Sequence, residues 1–397
     1  MRVIDSIGRT YRKASLFSSE NWTRGWEVTA LYSFTTVLIV FGLITLYSAS
    51  SYDAQTHQLP DTYYSFRQLK GTGLGLIALI ICSCMNYDIW RKLAWPILAV
   101  TWVLLIVLVL PGENTFAPEI NGARRWIRIA GMTLQPSELA KVAIIVWTAS
   151  LAVRKQNQFM SLRTGFLPFV IIWSAMMLPI AKEPDLMTAL LVGFLGCLVL
   201  FMAGARVGHF IFVFMIGAPW LYFELNDGFR LERLKSFFDP SVDPAGAGYQ
   251  VRQSLYAFGS GGLQGVGFEQ GRQKFGFLPE AHNDFIFAMI GEEWGFLGVI
   301  FTVVMYLVIV GLGFHIAAKA SDLMGQLLAA GISSLIAMQA ILHMAVGLDL
   351  FPTTGLALPF ISYGRSNLLV SMACIGILIS IARSPQRTRR GLRRARG

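Results

Sequence analysis

Apolar residues in this chain gather into runs of bilayer-crossing length. A helix needs roughly 20 mostly apolar residues to span the hydrocarbon core. About ten runs meet or approach that length: 31–48, 71–90, 93–110, 137–153, 165–180, 186–203, 207–223, 285–316, 327–346 and 360–382. The pattern predicts an all-α fold, a polytopic membrane helix bundle of about ten transmembrane helices. The fifth and sixth runs are separated only by 181–185, and the eighth is long enough to tilt or to extend past the bilayer. Two outer connections are longer than turns, 111–136 and 225–284. The second is a long extracytoplasmic loop before the eighth span, and within it 249–258 (Tyr249, Leu255, Tyr256, Phe258) reads as an amphipathic helix on the outer interface. The seven glycines between Gly259 and Gly276 match no nucleotide fingerprint and read as flexible turns.

Composition supports the membrane assignment. Hydrophobic residues make up 54% of the 397 and charged residues 14%, against about 25% charged in soluble domains. The first run begins too late and continues too long for a signal peptide. All four cysteines fall in apolar runs, and Cys82 and Cys84 form a lone C-x-C, which reads as packing rather than metal ligation.

The net charge of +10 does not point to nucleic acid, because it is concentrated at the ends. Arg2, Arg9, Arg12, Lys13 and Arg24 precede the first span; Arg383, Arg387, Arg389, Arg390, Arg393, Arg394 and Arg396 follow the last. Basic flanks mark the cytoplasmic side and meet anionic membrane lipids. An even number of spans puts both termini there, and Arg91, Lys92, Arg154, Lys155, Arg163, Arg206 and Lys319 agree. The expected organisation is a cytoplasmic tail over 1–27, a transmembrane domain over 28–383 and a basic cytoplasmic tail over 384–397.

Charged side chains within spans are costly and usually functional. Glu138 and Lys141 are three residues apart, on one helix face. Lys182, Glu183 and Asp185 surround Pro184. Two such mixed-charge sites point to a shared polar cavity, whereas for Glu292 and Glu293 a helix-locking ion pair is an equal reading. Asp284 directly precedes the eighth span. There Asn283 or Asp284 serves as a helix cap, or Asp284 as a general base at the water–lipid boundary; spacing does not choose. The stretch 351–364 breaks its helix with two prolines and two glycines, as a cavity lining or as a plain loop between spans.

The motifs Gly122-Ala-Arg-Arg-Trp126, Gln135-Pro-Ser-Glu-Leu-Ala-Lys141, Glu183-Pro-Asp185, Gly248-Tyr-Gln250, Leu278-Pro-Glu-Ala-His-Asn-Asp284, Pro352-Thr-Thr-Gly355 and Pro359-Phe-Ile-Ser-Tyr-Gly364 resemble those of the SEDS family (shape, elongation, division, sporulation). The likeness runs from the first span to Arg383, and Thr353-Thr-Gly355 and Pro279-Glu-Ala-His282 are closer to the division branch than to the elongation branch. It implies a peptidoglycan glycosyltransferase that polymerises lipid II, a polyprenyl-diphosphate-linked disaccharide-peptide, at the outer face of the bacterial cytoplasmic membrane, at the septum. The essential acid falls on Asp284 and the important loop tryptophan on Trp126; Arg125, Glu138, Lys141, Lys182, Glu183, His282, Ser362 and Arg365 become candidate substrate-binding residues. Arg365, Asn367, Met187, Asn283 and Thr133 depart from the usual pattern.

For the implied reaction one carboxylate suffices, because diphosphate leaves without a second acid, unlike the leaving groups of glycosidases. The developing charge needs a divalent cation (Mg or Mn) or basic groups, with Lys141, Lys182, Arg125 and Arg365 as candidates. Trp126 stacks on a sugar or anchors its loop. A lipid II flippase is the rival reading, although no second copy of the Glu138–Lys141 or Pro352–Pro359 pattern suggests an inverted repeat. A division scaffold is the third. No S-x-x-K with a K-T-G appears, so crosslinking calls for a partner. The resemblance implies a class B penicillin-binding protein transpeptidase and other division proteins. The eighth and ninth spans, with the small residues Ala329-Ala330-Gly331 of the ninth, are the expected contact surface for the transpeptidase, packing of those residues against other spans of the chain being an equal reading.

Overall fold

The computed structural model describes residues 25–110, 117–119, 123–129, 132–159, 161–226, 228–239, 243 and 246–384. The basic residues up to Arg24, the arginines from Arg387 onward, and Asn121 and Gly122 lie outside them. Ten helices match the ten predicted spans: α1 (Trp26–Thr56), α2 (Tyr63–Cys84), α3 (Asp88–Val109), α4 (Pro136–Lys155), α5 (Leu167–Lys182), α6 (Leu186–Met202), α7 (Val207–Leu225), α10 (Ile286–Lys319), α11 (Leu323–Gly347) and α12 (Arg365–Arg383). Eight are long and apolar enough to cross a membrane, α6 is apolar but shorter, and α2 carries Arg67 and Lys70 in its first turns. The outer loop adds α8 (Gly228–Phe238) and α9 (Ala247–Gly261), and a short antiparallel hairpin, β1 (Ile127–Ile129) with β2 (Met132–Leu134), precedes α4.

The interior is apolar and so is much of the exterior, as a lipid-solvated bundle requires. Leu76, Ile77 and Ile80 of α2, and Phe296, Leu297 and Ile300 of α10, point outward, while α4 and α12 are mostly buried. No residue of α7 is fully buried; it packs on the bundle through the partly buried Phe210, Val213, Trp220 and Leu221 and leaves its other face to lipid.

Small residues set the closest helix approaches. Gly75 and Gly376 admit α2 and α12 to one another, and Gly331 of α11 lies against Ile145 of α4 and Val199 of α6. This corrects the expectation for Ala329-Ala330-Gly331. Ala329 and Ala330 are buried too, so the stripe packs within the chain rather than facing a partner.

Three further expectations change. α10 is two helices joined at Gly295, whose φ of 63° and ψ of −161° break the ladder. The loop after α9 repairs the break: the N–H groups of Val266 and Gly267 donate to the carbonyls of Glu292 and Glu293, and those of Phe296 and Leu297 donate to Gly262 and Leu263. Gly261 and Gly265 are therefore close-packing positions, not flexible turns; a β-carbon at either would strike α10 backbone. Finally, α9 docks on the bundle, with Phe258 against Phe287 and Ser254 Oγ donating to the Gly347 carbonyl at 2.6 Å. Its exposed Leu255 and Tyr256 keep the amphipathic character.

Candidate active site

The starts of α4, α6, α10 and α12 come together at one end of the bundle, around a cavity of about 820 Å³. Each helix start presents unpaired N–H groups and the positive end of its dipole. Gln135 and Glu138 line the cavity from α4, Thr188 from α6, Asn283 and Asp284 from the approach to α10, and Arg365 and Asn367 from α12. Arg125 and Trp126 close it from the hairpin side and Arg233 from α8, and the broken segment contributes 354–357. That segment lines the cavity; it is not merely a connection.

Asp284 sits half-buried on this wall, its N–H donating to the Glu280 carbonyl at 3.1 Å. The cap reading fails: the residue before α10 is Phe285, and no side chain caps the helix. Burial and the neighbouring Glu280 push the carboxyl up to about 6, against the opposing pull of Arg233 and Arg125. Arg233 reaches this spot because Arg230, one turn earlier on α8, pairs with Glu224 and donates to the Ala181 carbonyl at 2.7 Å. Arg233 also donates to the Thr353 carbonyl at 3.4 Å.

Glu138 is held from two sides. Lys141 Nζ donates to its Oε1 at 2.7 Å and Asn367 Nδ2 to its Oε2 at 3.1 Å. Asn367, one of the departures, thus joins α12 to α4. Beside it Ser366 Oγ donates to the Thr133 carbonyl and accepts from the Gln135 N–H, and Arg365 donates to Thr133 Oγ1 at 3.0 Å. Two departures, Arg365 and Thr133, therefore meet.

Of the candidate residues, Arg125, Trp126, Glu138, Asp284 and Arg365 line the cavity. Lys141 is fully buried behind Glu138. Glu183 is buried next to the lining residue Pro184, with no hydrogen-bond partner on either carboxylate oxygen among the described residues, and burial raises it to about 9. Arg125 donates to the carbonyls of Glu183 and Pro184 at 2.9 and 2.6 Å, which fixes the hairpin over α6. His282 and Ser362 stand behind the wall. The His282 ring packs on Tyr64 and Tyr363, and Ser362 Oγ donates to the Asn283 carbonyl at 2.8 Å. Lys182 is a correction: it is exposed and off the cavity, because one residue along a helix end turns a side chain about 100° away from the direction of Glu183. Sequence reading missed Arg233; a basic helix inside the 225–284 loop was the available signal.

A metal held by protein side chains alone needs several converging ligands. Among the described residues no three His, Cys, Asp or Glu side chains converge as ligands, and the charged groups near Asp284 include Arg125 and Arg233.

The sequence model of the FtsW/RodA/SpoVE family, described as cell cycle protein, matches residues 29–387. The chain belongs to this family. It is 40% identical over 346 residues to a probable peptidoglycan glycosyltransferase FtsW of Trichlorobacter lovleyi, covering 87% of this chain and 90% of that one. It is 38% identical over 351 residues to stage V sporulation protein E of Bacillus subtilis, covering 88% and 95%. Among solved structures, a chain from a peptidoglycan synthase complex that coordinates polymerization and crosslinking superposes with a TM-score of 0.73 at 25% identity, covering 89% and 96%. The fold is also that of the rod shape determining protein RodA of Thermus thermophilus, with a TM-score of 0.64 at 24% identity and coverage of 89% and 95%.

Proposed function

We propose that this protein is a peptidoglycan glycosyltransferase that polymerises lipid II into glycan strands, with Asp284 as its catalytic base. The observation that carries the reading is the position of Asp284: its carboxylate lies on the wall of a cavity ringed by helix N-termini and arginines, beside Glu280 and with Glu138 also in the lining. Such a ring suits an anionic, diphosphate-bearing substrate. The relatives' names support it independently.

In the reaction the ionised Asp284 takes the proton of the acceptor sugar hydroxyl as that oxygen attacks the anomeric carbon of the donor. The bond from that carbon to the diphosphate oxygen breaks with inversion, and polyprenyl diphosphate departs carrying the electron pair. Arg125 and Arg233, which act electrostatically on Asp284, are assigned to the charge of the leaving group. Trp126 is assigned to a sugar face. Glu138, pinned by Lys141 and Asn367, shapes the floor.

We assign the cavity to the outer face of the bacterial cytoplasmic membrane, with both termini cytoplasmic, and the work to septal wall synthesis in division. The basic ends and the relatives called FtsW support this. A crosslinking partner of the class B penicillin-binding protein type is part of the proposal, on the precedent of the synthase complex. The test is to incubate the purified protein with lipid II and separate the products by length. Long glycan from the wild type and none from folded Asp284→Asn is expected. Long glycan from both would remove the base assignment, and none from either, with or without a partner transpeptidase, would remove the polymerase reading.

A further inference from the structure

Two acids left outside the mechanism, Glu292 and Glu293, lie two turns into α10 and are buried. Together they seize the chain that leads to Asp284. The Glu292 carboxylate accepts the backbone N–H groups of Arg272, at 2.8 Å, and Gln273, at 3.2 and 3.3 Å. Glu293 Oε1 accepts from Lys274 Nζ at 2.9 Å and from Ser48 Oγ of α1 at 2.6 Å, and Lys274 Nζ also reaches Ser48 Oγ at 2.8 Å. The Lys274 and Glu293 side chains are 2% and 1% exposed.

The strap 272–284 is thus fastened at one end to the acids of α10. Its other end is fastened by the N–H of Tyr363 on the His282 carbonyl, at 3.1 Å, and by Ser362 on the Asn283 carbonyl. Asp284 then runs straight into α10, whose rise from Ile286 to Glu293 is about 10 Å. Helix and strap close a loop, with the carboxylate at one corner and the ion pair at the opposite one. A buried ion pair roughly breaks even against apolar side chains in stability, so stability does not explain its presence. Its directional bonds tie the strap in one register to α1 and α10, which apolar packing would not do.

We infer that the buried Lys274–Glu293 pair, with Ser48 and Glu292, is a positioning device that sets the carboxylate of Asp284 against the acceptor hydroxyl. The inference rests on the reading of Asp284 as the base. A displacement of about 1 Å at a reacting group costs on the order of 10²-fold in rate.

Three forms of the full-length protein, Lys274→Met, Lys274→Met/Glu293→Gln and Asp284→Asn, are compared with wild type for thermal midpoint, kcat, KM for lipid II and the pH dependence of kcat. The double variant removes the unpaired buried charge, so its midpoint should return close to wild type. Its kcat should remain down by about 10²-fold with KM unchanged. Its acid limb should also move down in pH, as a freed Asp284 loses the burial and the neighbouring Glu280 that raise its carboxyl, against the smaller loss of Arg233 and Arg125. A double variant with wild-type kcat, or one that loses only folded protein while its acid limb stays in place, overturns the positioning role. Asp284→Asn separates the two failures. If it keeps wild-type turnover, the base assignment itself is wrong; if it is inactive while the double variant is fully active, only the positioning inference falls.

Discussion

Gly355 faces Asp284: a β-carbon on its backbone would lie 3.8 Å from Oδ2 of the carboxylate. Its φ of +69° lies in the left-handed region, where any other residue crowds its own carbonyl. Gly355→Ala should therefore cost about 1–2 kcal/mol of stability. It should also lower kcat, because relief of that strain shifts the backbone beside the base. Thermal denaturation and polymerisation rates measured together test this; an alanine variant equal to wild type in both would show that the segment is free to adjust.

Only the ionised form of Asp284 can accept a proton, and its carboxyl is raised to about 6. Turnover should therefore be full above that value and fall as pH drops through it. Arg233 and Arg125 hold the carboxyl down against burial and Glu280, so Arg233→Met should move the midpoint of the acid limb upward. A midpoint that moves downward in that variant would contradict the electrostatic arrangement of the site.

Much of this was legible along the chain because helices obey local periodicity. The ten spans and the mixed charges of Glu138 and Lys141 follow from runs and short spacings, whereas Asp284 stood out as the base only through the resemblance of its motif. What was not legible depends on contacts distant in sequence. Asn367 reads only as a departure until the fold brings it, from 229 residues away, to Glu138. Gly261 and Gly265 resemble turn glycines because composition carries no record of the helix that passes against them. Lys182 and Glu183 look equivalent as neighbours, yet one faces outward and the other inward. Arg233 was hidden because polar, glycine-rich flanks made its helix read as loop.

The Glu138–Lys141 pair should behave as a unit. Lys141 is fully buried and Glu138 is 5% exposed, so removing the lysine charge alone strands a carboxylate. Lys141→Met is expected to destabilise by about 3–5 kcal/mol. Glu138→Gln should be milder, since an amide oxygen still accepts from Lys141 or Asn367. The double variant Glu138→Gln/Lys141→Met should recover most of the loss in thermal midpoint. Additive losses in the double variant would mean that the two side chains act independently.

Arg365 opens α12, where the helix N-terminus and a guanidinium fall together at the cavity wall. One of its N–H groups is taken by Thr133 Oγ1, which ties the side chain to the hairpin at the cavity wall. A diphosphate bound there would accept charge-assisted hydrogen bonds from the fork, each worth about 1.5–3 kcal/mol. Arg365→Ala should then raise KM for lipid II by roughly 10- to 150-fold. Arg365→Lys keeps the charge but loses the two-pronged geometry and should recover part of the affinity. The effect should shrink with added salt, since a half-exposed charge is screened. The split between constants carries the most information: the arginines that act on Asp284 are Arg233 and Arg125, whereas Arg365 is held by the hairpin, and binding there need not change the barrier. A fall in kcat with KM unchanged would move Arg365 to the leaving group, and no change in either constant would remove it from the substrate site.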